Sequence, residues 1–315
     1  MSDGDAPWVS TARMREIFDA VCNWGRWGPE DEAGALNLIT PERRQAAAAA
    51  VHLGLTVSCA RELPVDPSPE NPRPALHLMV RAGDDCLTPG LGLESTGDFL
   101  GVSFHGMATS HIDALCHVFV DGKMYNGFPG TEVRSTGARR GSILCACDGV
   151  VGRGVLLDVP RLHGVPYLEP GTAITPDELD AAERAEGLTV GEGDILLVAT
   201  GRDARRRELG PWAPYTGGLA GLHPECLPWL HRRGVAVLGC DGVSDTLPGL
   251  PPEGWVMPIH QCAIVAMGVH LLDNLRLDRL SDACATHGRW SFLFTVAPLV
   301  VDGGTGSPAN PIALL

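Results

Sequence analysis

A chain of 315 residues, 44% of them hydrophobic and 20% charged, has material for one large α/β domain or two smaller ones with a proper core. Its formal net charge of -14 disfavours a nucleic-acid surface, which needs clustered Lys and Arg, and disfavours loose adhesion to anionic membranes. The acidic balance fits a protein that handles a small molecule, although solubility alone also accounts for it.

The first residues show no charged-then-apolar signal pattern, and no apolar run approaches the ~20 residues of a membrane helix. The expectation is a cytoplasmic protein whose ten cysteines are thiols. Residues 10–22 predict a first helix, capped by Ser10 or Thr11, with Met14, Ile17, Phe18 and Val21 as its apolar stripe. A loop rich in Trp, Gly and acid follows, where Trp24 and Trp27 read either as pocket walls or as clamps. Thr40, Pro41 and Gly54 start and stop a second helix. Residues 55–60 and 75–80 predict strands on either side of the proline-rich loop 64–74, and 83–97 reads as another loop.

The densest chemistry lies between Ser103 and Gly127, where His105, His111, Asp113 and His117 fall within thirteen residues. If this segment is extended, His105, Met107, Thr109, His111 and Asp113 share one face. A divalent metal site with His117 beside it as an acid/base group is one reading; hydrogen-bonded structural histidines are the other, and spacing alone balances the two. Cys116 next to His117 is a minor candidate nucleophile, since adjacent side chains diverge.

Further on, 154–159, 194–200, 235–240, 269–272 and 290–296 predict strands. Helices are predicted from the capping box Thr175–Pro176–Asp177–Glu178 to Gly187, over 224–233, over 258–267 after a proline-rich loop, and over 278–285. The arginines of 202–207 read mostly as a solvated helix face. Asp241 ends a strand, where it either contacts a ligand or caps the next loop. The tail GGTGSPANP reads as turn. Alternating elements without a composition break predict one α/β domain, 1–315, with 1–54 as helical decoration packed on it. No GxGxxG between strand and helix, no P-loop and no GxSxG elbow occur, so no nucleotide cofactor is expected.

SHIDALCH resembles the THxDAPxH signature of the metal-dependent cyclase-like family, which includes bacterial kynurenine formamidase and isatin hydrolase. NWGRWGPEDEAGALNLITPERR, GVAVLGCDGVSD, PIHQCAIVAMGVHLLDNLRLDRL and APLVVDGGTGSPANPIAL resemble further family segments in the expected order. The resemblance covers nearly the whole chain and is closer to the longer members, such as trans-dienelactone hydrolase. It implies a single cyclase-like (swivelling β/β/α) domain with a mixed central sheet. It implies His111, Asp113, His260 and Asp273 as metal ligands and His117 as the catalytic group. The family's first ligand position is Met107 here, a poor ligand for zinc or manganese. One divalent ion, zinc or manganese, is therefore expected, with His105, Tyr125 and Asn126 as pocket residues. Trp24, Trp27, Trp212 and Phe128 are further candidates for walls around a flat ring, against core packing.

The implied chemistry is hydrolysis of an amide, formamide, lactam or lactone bond of a cyclic or aromatic small molecule by metal-activated water, with His117 as general acid/base. A ring-closing cyclase or dehydratase of natural-product assembly would use the same residues. A metal-poor, non-catalytic binding protein is the third reading. A homodimer or homotetramer is expected from the family.

Overall fold

The computed structural model describes residues 9–84, 95–247 and 253–315. Parts of the predicted loops at 83–97 and before Pro258 lie outside the described residues. The runs Ile195–Ala199 and Val237–Cys240 bury every side chain, the pattern of parallel strands covered on both faces. They form the middle of a mixed sheet.

The strands used below are β1 (Thr56–Ser58), β2 (Leu76–Arg81), β3 (Gly97–Gly101), β4 (His111–Asp113), β5 (Val150–Asp158), β6 (Ile195–Ala199), β7 (Val237–Cys240), β8 (His270–Asp273), β9 (Ser291–Val296), β10 (Gly306–Pro308) and β11 (Ile312–Leu314). The helices are α1 (Thr11–Ala20), α2 (Pro41–Ala49), α3 (Pro176–Glu186), α4 (Arg202–Leu209), α5 (Cys226–Arg233) and α6 (Asp278–His287). Among the described residues, nine strands make one sheet in the order β1-β11-β9-β5-β6-β7-β8-β4-β10. The centre from β5 to β8 is parallel. The neighbours on both sides are antiparallel. The fold is thus the mixed α/β architecture expected.

Local chemistry sets the helix ends. Ser10 accepts from the Arg13 N–H and Thr40 from the Arg43 N–H, each satisfying an otherwise orphaned donor. Thr175 and Glu178 form a reciprocal capping box, and Gly187 ends α3 in the left-handed region. The N-terminal helices are tied to the body: α2 packs on β5 and α1 on the segment Gln261–Met267.

Four expectations change. Ser103–Gly127 is not extended; it bends through residues 105–109, and only His111–Asp113 is strand. Of the α4 arginines, expected to be mostly solvated, Arg206 and Arg207 are exposed and Arg205 is half-buried. Arg202 is buried, donating to Asn274 Oδ1 at 2.7 Å and to the Met107 carbonyl and Glu70. Asp241 does not cap the loop after it. Its carboxylate accepts the N–H groups of Thr200, Gly201 and Arg202 and so caps the start of α4. The tail contributes strand β10, which pairs with β4 at the sheet edge.

Candidate metal centre

β4 is three residues long, and all three are buried. It lies between β8 and β10, with His111 opposite Asp273 and Asp113 opposite Gly306. Residues directly opposite one another share a face, so the His111 and Asp273 side chains meet. The second contributor is the turn Pro258–His260, which carries His260 and runs on into a π-helical segment, Gln261–Met267. Asp245 anchors that turn. Its carboxylate accepts the N–H of Ile259 at 2.8 Å and of His260 at 3.1 Å, and binds His260 Nδ1 at 2.6 Å. The third contributor is the bend at His105, whose ring needs the space left by Gly306. A Cβ on Gly306 would stand 2.6 Å from the Ile112 carbonyl and 2.9 Å from His105 Cε1.

The donor atoms converge. His105 Nδ1 is 3.0 Å, His111 Nε2 3.4 Å and His117 Nε2 4.0 Å from Asp113 Oδ1. His260 Nε2 is 3.6 Å from Asp113 Oδ2 and 3.1 Å from Asp273 Oδ2. Two overlapping groups result, His105–His111–Asp113 and Asp113–His260–Asp273, each with its donor atoms within 4.8 Å of one another. His117 stacks flat on His105, with ring centroids 3.7 Å apart and planes at 3°.

These residues fit a divalent cation. Both Asp113 oxygens and Asp273 Oδ1 are buried without a hydrogen-bond partner, a costly state unless a cation or proton satisfies them. His111 Nδ1 bonds the Thr109 carbonyl at 2.8 Å and His260 Nδ1 bonds Asp245, which leaves each Nε2 lone pair facing inward. That is the outer-shell arrangement metal-binding histidines require.

The electrostatics agree. Burial pushes the Asp113 carboxyl up, but the surrounding imidazoles outweigh it and hold it well below the ordinary value. Burial works against the charge on His260, yet Asp273 and Asp245 hold it well above the ordinary imidazole range. His111 is likewise raised, by Asp113 against burial. The pocket therefore attracts positive charge. His117 differs: burial pushes it down to about 4, so its ring is neutral near pH 7.

The structure brings together His105, His111, Asp113, His117, His260 and Asp273 on one cavity of about 410 Å³. Met107 also lines it, with its side chain in an apolar cluster with Leu219, Val243 and Leu247. Tyr125 and Asn126 lie elsewhere. The Tyr125 hydroxyl donates to Asp31 at 2.9 Å in the core. Asn126, at φ 61, ties its amide to the carbonyls of Gly28, Pro29 and Asp31. Trp24 donates to the Val265 carbonyl and Trp212 to that of Gly218, so both act as clamps on their loops. Cys116 is buried, and burial pushes its thiol up to about 12, the opposite of an activated nucleophile. Sequence reasoning missed Asp245 and Gly306; the acid in the DGVSD turn was the available signal for the first.

Fold and site together define an α/β protein with a His/Asp donor set suited to a divalent metal. The chain belongs to the Cyclase family, whose model matches residues 53–245. A solved structure described as a novel cyclase is 30% identical, with a TM-score of 0.85 over 94% of this chain and 100% of that one. Isatin hydrolase A from Labrenzia aggregata, bound to benzyl benzoate, is 21% identical, with a TM-score of 0.59 over 85% of this chain and 94% of that one. An isatin hydrolase bound to the product analogue thioisatinate is 18% identical, with a TM-score of 0.57 over 82% of this chain and 92% of that one. Comparison with curated proteins gave no match.

Proposed function

We propose that this chain is a metal-dependent hydrolase that opens the amide, lactam or lactone bond of a cyclic or aromatic small molecule. The observation that carries the reading is the set of unpartnered Asp113 and Asp273 oxygens facing inward-directed imidazole nitrogens. His111, Asp113, His260 and Asp273 would hold the ion, zinc or manganese, with His105 available to the overlapping group. A divalent ion held there supplies a Lewis acid and an activated water. Neutral His117, at the cavity side of Asp113, takes the proton of the attacking water and delivers it to the leaving nitrogen or oxygen. Its stack on His105 fixes the ring plane. The two isatin hydrolases share the fold, and isatin, a cyclic amide, falls in the proposed class. A cytoplasmic setting, with the cysteines as thiols, is part of the same proposal.

Metal analysis of the purified protein, followed by panels of lactones, formamides and linear precursors with and without chelator, tests the reading. Chelator-sensitive ring opening is expected. Ring closure of the linear precursors alone would make it a cyclase, and chelator-insensitive turnover would remove the metal.

The small-molecule enzyme is also proposed to work as a homodimer or homotetramer. The ribbon β2–β3 pairs only with itself among the described residues. It exposes Leu76, Leu78, Met79, Val80, Phe99 and Leu100, Val80 to 71%. A bare two-stranded ribbon is marginal in water and calls for cover. Light scattering on the wild type and on Val80→Glu, Phe99→Lys tests this; a wild-type monomer overturns it.

A further inference from the structure

The cavity beside the metal centre does not end at the donor residues. His105, Gly106, Met107 and Tyr215 line both it and a second cavity of about 250 Å³. The 410 Å³ chamber alone lies within the range of a small-molecule site, so the second chamber is room beyond what a single small ring needs. Gly106 stands on the shared boundary at φ 157, and a Cβ there would meet no heavy atom within 4 Å. There is therefore empty space beside Gly106, where the two linings meet. Tyr215 is 69% exposed, on the short turn Pro214–Gly217 whose first residue is buried.

The lining of the second chamber sets its chemistry. Pro69, Pro72, Phe104 and Ala108 give apolar walls. Two of its buried polar residues are already engaged: Glu70 accepts from Arg202 and Arg206, and the Asn71 amide donates to the carbonyls of Pro64 and Asp66. The exposed Arg73 also lines the chamber, and among the described residues no carboxylate pairs with it. The uncommitted charge of the chamber is thus a single guanidinium, a planar donor suited to carboxylate.

We infer that the substrate is a two-part molecule: the ring to be opened lies at the metal centre, and a flat apolar arm passes over Gly106 and beneath Tyr215 to end in a carboxylate at Arg73. This rests on the metal-side cavity being the substrate site. Tyr215 and Arg73 then select the arm without touching the reacting atoms.

The test is calorimetric titration of the metal-loaded full chain with biphenyl-4-carboxylate and with uncharged biphenyl-4-carboxamide. It needs no turnover, so its outcome is separable from failure of the hydrolase reading, which the lactone panel reports. Wild type should prefer the carboxylate. Arg73→Glu should weaken the carboxylate about fivefold or more, as expected for reversing one partly exposed charge, and shift the carboxamide less than twofold. Tyr215→Ala should weaken both. Both positions are exposed, and the carboxamide reports an intact cleft in each variant. No binding by wild type overturns the inference. So does carboxylate binding that survives Arg73→Glu, including the case where Asp113→Ala abolishes it and so places the probe at the metal centre.

Discussion

Asp273 lies directly across the antiparallel pairing of β8 and β4 from His111. Neither residue depends on a loop for its position, because sheet register places them. Their neighbours Leu272 and Ile112 are also opposite one another and wholly buried, so a one-residue slip would send the donors to the other face of the sheet. The centre is held by the same packing that holds the sheet, and rigid elements position reacting groups better than loops do.

Asp113 and His117 separate binding from proton transfer. Asp113 belongs to both donor groups, so Asp113→Ala should leave the purified protein with less than about a tenth of an equivalent of metal and no measurable ring opening. His117→Ala should retain metal but lose about 10²- to 10⁴-fold in kcat, the usual contribution of general acid–base catalysis. Metal content by mass spectrometry beside steady-state kinetics reads both. Normal turnover by either variant sinks the assignment of its residue.

Asp245 does not itself line the cavity, yet it fixes the His260 ring and the turn that bears it. Asp245→Asn keeps the shape but weakens the acceptor that holds Nδ1–H in place. Metal affinity should fall about 10- to 100-fold, the range seen for such supporting carboxylates, while the fold persists by circular dichroism. A competition titration with a chromogenic chelator measures the change, and an unchanged affinity would reduce Asp245 to a turn anchor.

Gly306 makes a different kind of demand. Opposite Asp113 in the register, it leaves the space that the His105 ring and Phe104 occupy. Gly306→Val should push against the Ile112 backbone and His105, at a cost of about 1–3 kcal/mol for an overpacked interior. Displacing His105 also removes the ring on which His117 stacks. The expected result is a lower melting temperature together with a larger loss in kcat than in metal content. Wild-type kinetics in this variant would show that the His105 position is immaterial.

The sequence shows some of this plainly and some not at all. Buried runs such as 195–199 and the Thr175 capping box have local causes and read directly. His111 and Asp113 stand out already by their spacing, but His260 and Asp273 emerge only through family resemblance, because the two halves meet by sheet topology. The role of His105 is hidden for a second reason: strict alternation places it on a strand, whereas the chain bends there and brings its ring back over Asp113. The tail reads as turn because Gly and Pro dominate it. β10 tolerates them as an edge strand, with Pro308 at its end. Arg202 looks like one charge in a solvated run, but its burial depends on Glu70, Met107 and Asn274, all distant in the chain.

Glu186, far from the metal centre, gives the fold a pH dependence of its own. One oxygen accepts the Asp158 N–H at 2.7 Å, and the other is buried without a partner. Burial pushes its carboxyl up to about 8 from an ordinary 4.5, with the Asp158 N–H offsetting only part and the Asp158 charge adding to it. Below 4.5 both folded and unfolded chains hold the proton, and the group adds no pH dependence. Between about 4.5 and 8 the unfolded chain releases it while the folded chain keeps it, so this group lowers stability as pH rises. Above about 8 both states are ionised and the loss is complete, up to about 5 kcal/mol. Glu186→Gln keeps the acceptor for Asp158 and cannot ionise. Its stability minus that of wild type should therefore climb from pH 5 to 8 and level off at pH 9, on top of a constant offset from the buried amide. Urea unfolding at one-unit pH steps measures the difference, and a value independent of pH would mean that Glu186 titrates as an ordinary surface carboxylate.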